Sequence, residues 1–381
     1  METMRTTLRR GRNVWDRINM PESEFQERAE RVKKEMKKEN IDVLLIYGDA
    51  WREYGNLCYI SNFYPGMGGS IALIPRQGEV ALIFWGSARG LEYIQSITWI
   101  KELRPSAEDI ASSCVKYLEK LGLFPSTIGL AGLKQLMPYL QLQSFYGALS
   151  GCKIVDADHI ISNMRMVKSP RERDQIHRAS RILTHTFDVA NTPLEGMNEL
   201  ILEAALDREA RLEGAEDVRI LIAKPQEEKW AFRPVEDSQM SPGETIIIYL
   251  AVEFERYWSE IVRTFVVEPA CLVPAGRENY NELYEKIMRM LKPGKPVSQF
   301  YKEAVSELEK SGTGYVPEYG LGQGIGQGTN ELPIITEEDA SELKEGMCLT
   351  LRLAMRDKEI GTLMIGNTIH ISKDGPELLA K

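Results

Sequence analysis

The chain changes its pattern of periodicity once, near residues 164–180, and that change limits what it can fold into. Before it, short apolar runs alternate with helical spacing. Phe25, Ala29, Val32 and Met36 step at helical intervals through residues 22–40. Residues 42–47 form a nearly continuous apolar run ending at Gly48, as a strand buried on both faces requires. Runs at 69–74 and 79–84 flank the turn residues 75–78 and predict a strand pair. Helical spacing returns over 107–121, and short strands are expected at 127–130 and 153–156. This alternation predicts an α/β domain on a parallel or mixed sheet.

At the change, Lys168-Ser169-Pro170 leads into Arg171-Glu172-Arg173, with Ser placed as N-cap and Pro at the first helical position. Helices are expected over 170–190 and 196–213, then strands at 218–223, 245–252 and 260–267. Paired helices over 274–291 and 297–312 follow, then a Gly-rich segment and strands at 347–354 and 363–372. Strands and helices that come in runs predict an α+β domain, with helices on one face of an antiparallel sheet. The domains are accordingly read as 1–166 and 167–381.

Composition narrows the functional classes. With 43% apolar and 27% charged residues among 381, the chain is globular and long enough for two cores. Against 56 acids stand 47 lysines and arginines, a net charge of −9. The basic residues are dispersed, which excludes the clustered cationic surface that nucleic acid needs. No apolar run approaches the roughly 20 residues of a membrane span, and no signal-peptide core is visible. A cytoplasmic protein without membrane or nucleic-acid partners is expected. Cys58, Cys114, Cys152, Cys271 and Cys348 have neither redox nor zinc-site spacing and read as free thiols. Arg5, Arg9, Arg10, Arg12 and Arg17 read as an arm lying on the protein's own acidic surface, with an organelle-targeting arm as the alternative.

Several segments resemble one family. The stretch from Gly243 to Ala251 and the run Tyr257-Trp258-Ser259-Glu260-Ile261-Val262-Arg263-Thr264-Phe265 are similar to the paired-strand motif of the creatinase, prolidase and aminopeptidase P family. Gly322-Gln323-Gly324-Ile325-Gly326 and Asn330-Glu331-Leu332-Pro333 resemble its G-H-G-I-G and H-E-x-P motifs. Leu343-Lys344-Glu345-Gly346-Met347 and, in the first half, Asn56-Leu57-Cys58-Tyr59-Ile60-Ser61-Asn62-Phe63 match as well. The resemblance implies a creatinase-like α/β N-terminal domain and an α+β pita-bread C-terminal domain.

In metal-using members two aspartates, a histidine and two glutamates hold two divalent cations. By the resemblance, their positions are occupied here by Tyr249, Glu260, Gln323, Arg352 and Gly366. Only Glu260 is a suitable ligand for a hard cation. Arg352 carries a permanent charge. At about 4 Å and an effective dielectric of about 20, a unit charge repels a dication by roughly 8 kcal/mol. No metal and no other cofactor are therefore expected.

The histidines of the metal-free creatinase branch are also missing, with Phe232 and Asn330 at their places. What remains is a polar set: Glu331, Glu260 and Tyr249 as candidate catalytic groups, with Arg352 expected to pair with Glu260, Glu331 or both. Gln323, Asn330, Arg233, Trp230, Phe232 and Tyr64 are candidate substrate contacts. The sequence reading is a metal-independent, creatinase-like hydrolase or lyase acting on a C–N bond of a small carboxylate- or amide-bearing molecule. A catalytically silent binding protein and a metal-dependent Xaa-Pro peptidase are the alternatives. The resemblance also implies a homodimer in which the partner's N-terminal domain, around residues 63–67, caps the site. The glycines at 322, 324, 326 and 328 do not make a dinucleotide fingerprint, because Pro333 follows where a helix would have to open.

Overall fold

The computed structural model describes residues 14–66, 68–106, 109–188, 198–225, 230–268, 271–274, 278–312, 314–358 and 361–379. Met67 and the arginines at 5–12 lie outside these. The chain divides into two compact units, Met1–Arg165 and Met166–Lys381.

The first unit runs α1 (Glu22–Lys38), β1 (Val43–Asp49), α2 (Gly55–Ser61), β2 (Gly69–Pro75), β3 (Ala81–Trp85) and α3 (Leu91–Ile97). It continues with β4 (Glu102–Ser106), α4 (Ile110–Lys120), β5 (Thr127–Ala131), α5 (Leu133–Leu136), α6 (Tyr139–Ala148), β6 (Lys153–Asp156) and α7 (Asp158–Met166). The sheet order is β4-β3-β2-β1-β5-β6. β1 pairs antiparallel with β2 and parallel with β5, so the sheet is mixed. β1 is apolar throughout because both of its faces are covered. Leu44 and Ile46 pack with α1, α2 and α7, while Val43, Leu45 and Tyr47 pack with α4 and α6. α4 begins where the Asp109 carboxylate accepts from the N–H groups of Ala111 and Ser112, both at 3.0 Å.

The second unit opens with α8 (Pro170–Asp188) and α9 (Glu199–Leu212), followed by β7 (Asp217–Ala223), β8 (Thr245–Phe254), β9 (Tyr257–Glu268) and β10 (Cys271–Pro274). Next come α10 (Glu278–Met288), α11 (Val297–Lys310), β11 (Gln323–Gly324), β12 (Glu331–Ile334), β13 (Cys348–Asp357), β14 (Gly361–Ser372) and β15 (Gly375–Leu378). A reciprocal cap starts α8: Ser169 N–H donates to the Glu172 carboxylate at 2.8 Å, and Glu172 N–H to Ser169 Oγ at 3.3 Å. The main path of the sheet is β12-β11-β13-β14-β9-β8-β7.

Strand alternation gives this sheet two unlike faces. Ile246, Ile248 and Leu250 of β8 and Ile261 and Phe265 of β9 pack under α8 and α9. Leu351, Leu353 and Met355 of β13 pack under α10 and α11. The residues between them, including Tyr249, Glu260, Val262, Arg352 and Gly366, project to the opposite face. The register aligns four of these in a row across four neighbouring strands: Tyr249 opposite Val262, Val262 opposite Gly366, and Gly366 opposite Arg352.

Two buried tyrosines tie the helices to the strands. Tyr280 donates to Leu353 O at 2.5 Å and Tyr284 to Leu351 O at 3.1 Å. Burial pushes both phenols above their ordinary range. A raised folded-state pKa contributes stability that is complete below the unfolded value near 10 and is lost as pH rises through the folded one. Thermal melts should therefore hold steady up to about pH 9.5 and fall beyond about pH 10. Tyr284→Phe should flatten that fall, and an unchanged slope would show that the phenol is not protected by the fold.

Candidate functional site

The face away from the helices carries a short polar chain. Arg352 reaches from β13 across β14 to β9, about 10 Å at the usual strand spacing. Its Nε and Nη2 both lie 2.6 Å from Glu260 Oε1. Nη1 contacts Gln323 Oε1 at 3.3 Å. The other oxygen of Glu260 accepts from the Tyr249 hydroxyl at 2.9 Å. Gln323, Arg352, Glu260 and Tyr249 thus form one continuous network. The Glu260 side chain is 1% exposed, whereas that of Arg352 is 17% exposed, so the network meets solvent at its cationic member.

Gly366 makes the crossing possible. A Cβ there would lie 3.1 Å from Arg352 Cγ and 3.0 Å from Val262 Cγ2, so any side chain at 366 competes with the arginine for space. Gly322 has a different reason to be glycine. Its φ is +131°, and a Cβ would fall 1.9 Å from Thr350 O, which fixes the backbone just before Gln323.

The charge states follow from these contacts. Burial, followed by the Glu260 charge, holds the Tyr249 phenol well above its ordinary range, so Tyr249 remains a neutral donor. Burial works against the Arg352 charge, but Glu260 and Tyr249 outweigh it and raise its pKa.

Beside the polar chain stands an aromatic wall. Trp230 stacks on Tyr319 with centroids 4.4 Å apart at 14°. Phe232 meets Tyr249 edge-on at 6.1 Å, joining the wall to the network. The Tyr319 hydroxyl donates to Trp230 O at 2.8 Å.

The other expected site residues lie elsewhere. Glu331 does not join Arg352. Alternation along β12 turns it inward, where its Oε2 takes the Lys168 ammonium at 3.0 Å and its Oε1 accepts Gly328 N–H at 3.0 Å. The two side chains are 1% and 5% exposed, so Glu331 is the counter-ion of a buried lysine. Both oxygens of Glu260 are engaged, Oε1 by Arg352 and Oε2 by the Tyr249 hydroxyl. Arg233 forks onto Glu199 at 2.8 and 2.9 Å, away from Arg352. Asn330 is exposed on the turn before β12. Tyr64 is buried within the first unit, edge-on to Tyr54 at 4.7 Å, and is a core residue.

Sequence reasoning missed Lys168, Glu199 and Tyr319. Lys168 was legible only as the approach to a helix cap, and nothing local marks Tyr319 as the partner of Trp230.

Comparison with known proteins gives the family. The family model described as "Metallopeptidase family M24" matches residues 174–373, and that of the "Creatinase/Prolidase N-terminal domain" matches 28–167. The chain belongs to metallopeptidase family M24. A protein of Pyrococcus horikoshii named Xaa-Pro dipeptidase is 25% identical over 94% of this chain and 97% of its own. The structure of an X-Pro aminopeptidase from Thermotoga maritima matches with a TM-score of 0.77 at 21% identity, over 93% of this chain and 97% of that one. The N-terminal domain of FACT complex subunit SPT16 from chickpea, Cicer arietinum, matches with a TM-score of 0.68 at 18% identity, over 94% and 96%. Both structures share the creatinase-like and pita-bread folds expected from the sequence.

These relatives correct the functional expectation. Relatives named Xaa-Pro dipeptidases are peptide-bond hydrolases, which overturns creatinase-like, metal-independent cleavage of a small C–N compound. The residues present do not fit the metal pair that the family implies. A protonated phenol, an amide, a guanidinium and a glycine stand with one carboxylate that is already ion-paired. Among the described residues, no three His, Cys, Asp or Glu side chains gather as a metal-binding group. No helix among them is long and apolar enough to cross a membrane.

The Arg352–Glu260 pair is open to a direct test. Removing the cation leaves a carboxylate in the protein interior, at a cost of about 3–5 kcal/mol. Urea unfolding should show that loss for Arg352→Ala, with most of it recovered in Arg352→Ala/Glu260→Gln. A loss below about 1 kcal/mol would mean that the pair behaves as an exposed one.

Proposed function

We propose that the second unit is a recognition site for short peptides with a free carboxylate, in a fold whose hydrolytic metal centre has been replaced by an organic ion pair. One observation carries this reading: Arg352 bridges to Glu260 yet stays partly open to solvent. Its bonds to Glu260 and Gln323 use three of the five guanidinium N–H donors, which leaves two for an incoming carboxylate. The aromatic wall of Trp230, Tyr319 and Phe232 supplies apolar surface beside that charge. The Xaa-Pro dipeptides named for the relatives combine a carboxylate with an apolar ring and are the natural probes. The same fold in a protein named as a subunit of a complex supports a role in binding.

The relatives' names favour a second reading, a metal-dependent Xaa-Pro dipeptidase. It requires Arg352 to leave Glu260 and a divalent cation to enter against the repulsion of roughly 8 kcal/mol at about 4 Å. The two readings differ in a single assay. Under recognition, Xaa-Pro dipeptides raise the melting temperature, their C-terminal amides do so far less, and added manganese releases no proline. Proline released in proportion to added metal would overturn recognition in favour of hydrolysis, and absence of any melting shift would remove the peptide ligand.

A further inference from the structure

Two members of the aromatic wall, Trp230 and Phe232, lie on a segment fixed from outside the site. Glu199, the first residue of α9, has a fully buried side chain. Its carboxylate receives both fork nitrogens of Arg233, at 2.8 and 2.9 Å, the Glu236 N–H at 3.0 Å and the Lys224 ammonium at 3.2 Å. Lys224 follows the last residue of β7, and Arg233 follows Phe232. One carboxylate therefore holds the chain on both sides of Trp230 and Phe232.

The backbone reinforces the hold. Arg233 and Ile222 exchange N–H···O bonds at 2.9 Å each, and Glu199 N–H donates to Ser238 O at 3.0 Å. Lys224 also pairs with Glu244 at 2.9 Å, just ahead of β8, the strand that bears Tyr249. Burial works against the Glu199 charge, but Arg233, the Glu236 N–H and Lys224 outweigh it and hold the carboxyl below its ordinary range.

α9 does not need this carboxylate to start. The Asn198 side chain already caps it, accepting from Leu200 N–H at 2.8 Å. Two cations and a backbone donor on a buried glutamate exceed what a helix terminus requires, and what they hold in common is the segment bearing Trp230 and Phe232.

We infer that Glu199 is a positioning residue for the aromatic wall and sets how tightly the site grips an apolar ligand. This deepens the recognition reading and rests on it only for the ligand, since the state of the wall can be measured without one.

Glu199→Gln keeps the size and the Asn198 cap but removes the charge that gathers Lys224 and Arg233. Acrylamide quenching of Trp230, isolated by subtracting the signal of the matching Trp230→Phe protein, is expected to increase in Glu199→Gln. Affinity for an Xaa-Pro dipeptide is expected to weaken about tenfold, the usual scale for a lost charge-assisted contact. Arg233→Lys keeps the charge without the fork and should give a smaller change in the same direction, which covers the case in which Glu199→Gln fails to fold. Unchanged Trp230 quenching in both variants would overturn the inference, as would unchanged affinity beside a loosened wall. If the wild-type protein binds no dipeptide, the recognition reading fails while the quenching comparison still decides the role of Glu199.

Discussion

A guanidinium laid across a glycine organises the face of the second unit on which the site is built. Arg352 and Glu260 sit on strands separated by β14, and the long arginine side chain joins them by passing over Gly366, which has no Cβ to crowd it. The contact fixes the states of its neighbours. It keeps Glu260 ion-paired, and the Glu260 charge helps keep Tyr249 protonated. Gln323 is held by its oxygen on Arg352 and by its amide nitrogen on Thr329 O at 2.8 Å. A chemistry that needed a free carboxylate or a phenolate at these positions would first have to break this network.

The residues of the row are matched to one another in size and charge. In the metal-binding pattern that the sequence resembles, positions 352 and 366 would both be acidic. Here one is a cation and the other has no side chain, and the two suit each other: a Cβ at 366 would crowd Arg352 Cγ at 3.1 Å, and Arg352 crosses the space above Gly366. Glu260 remains a carboxylate residue and has Arg352 as its counter-charge. Buried carboxylates without compensation are strongly unfavourable, so loss of divalent cations demands either loss of the acids or arrival of a cation. This chain contains both solutions.

Much of the fold was legible because its signals are local. The unbroken apolar run of β1 reflects helices on both faces, and the Ser169/Glu172 cap is visible in four consecutive residues. That Arg352 pairs with an acid was also legible, since a buried cation needs an anion, although Glu260 and Glu331 were both candidates and only Glu260 meets it. The place of Glu331 was not. Its partner Lys168 lies far away in sequence, and nothing near either residue shows that they meet. For the same reason Arg233 looked available to a ligand. Its neighbours suggest a loop, while its charge is neutralised by Glu199, whose burial depends on how α9 packs. Functional class was the least legible, because the retained motifs describe the family's scaffold whereas the altered positions decide the chemistry.

Metal content is the most direct test of the central claim that an arginine stands in place of the cations. The full chain, purified without chelator and dialysed against manganese or zinc, should retain no stoichiometric divalent ion by elemental analysis. Two tightly bound ions per chain, lost on replacing Glu260 by Ala, would contradict the account.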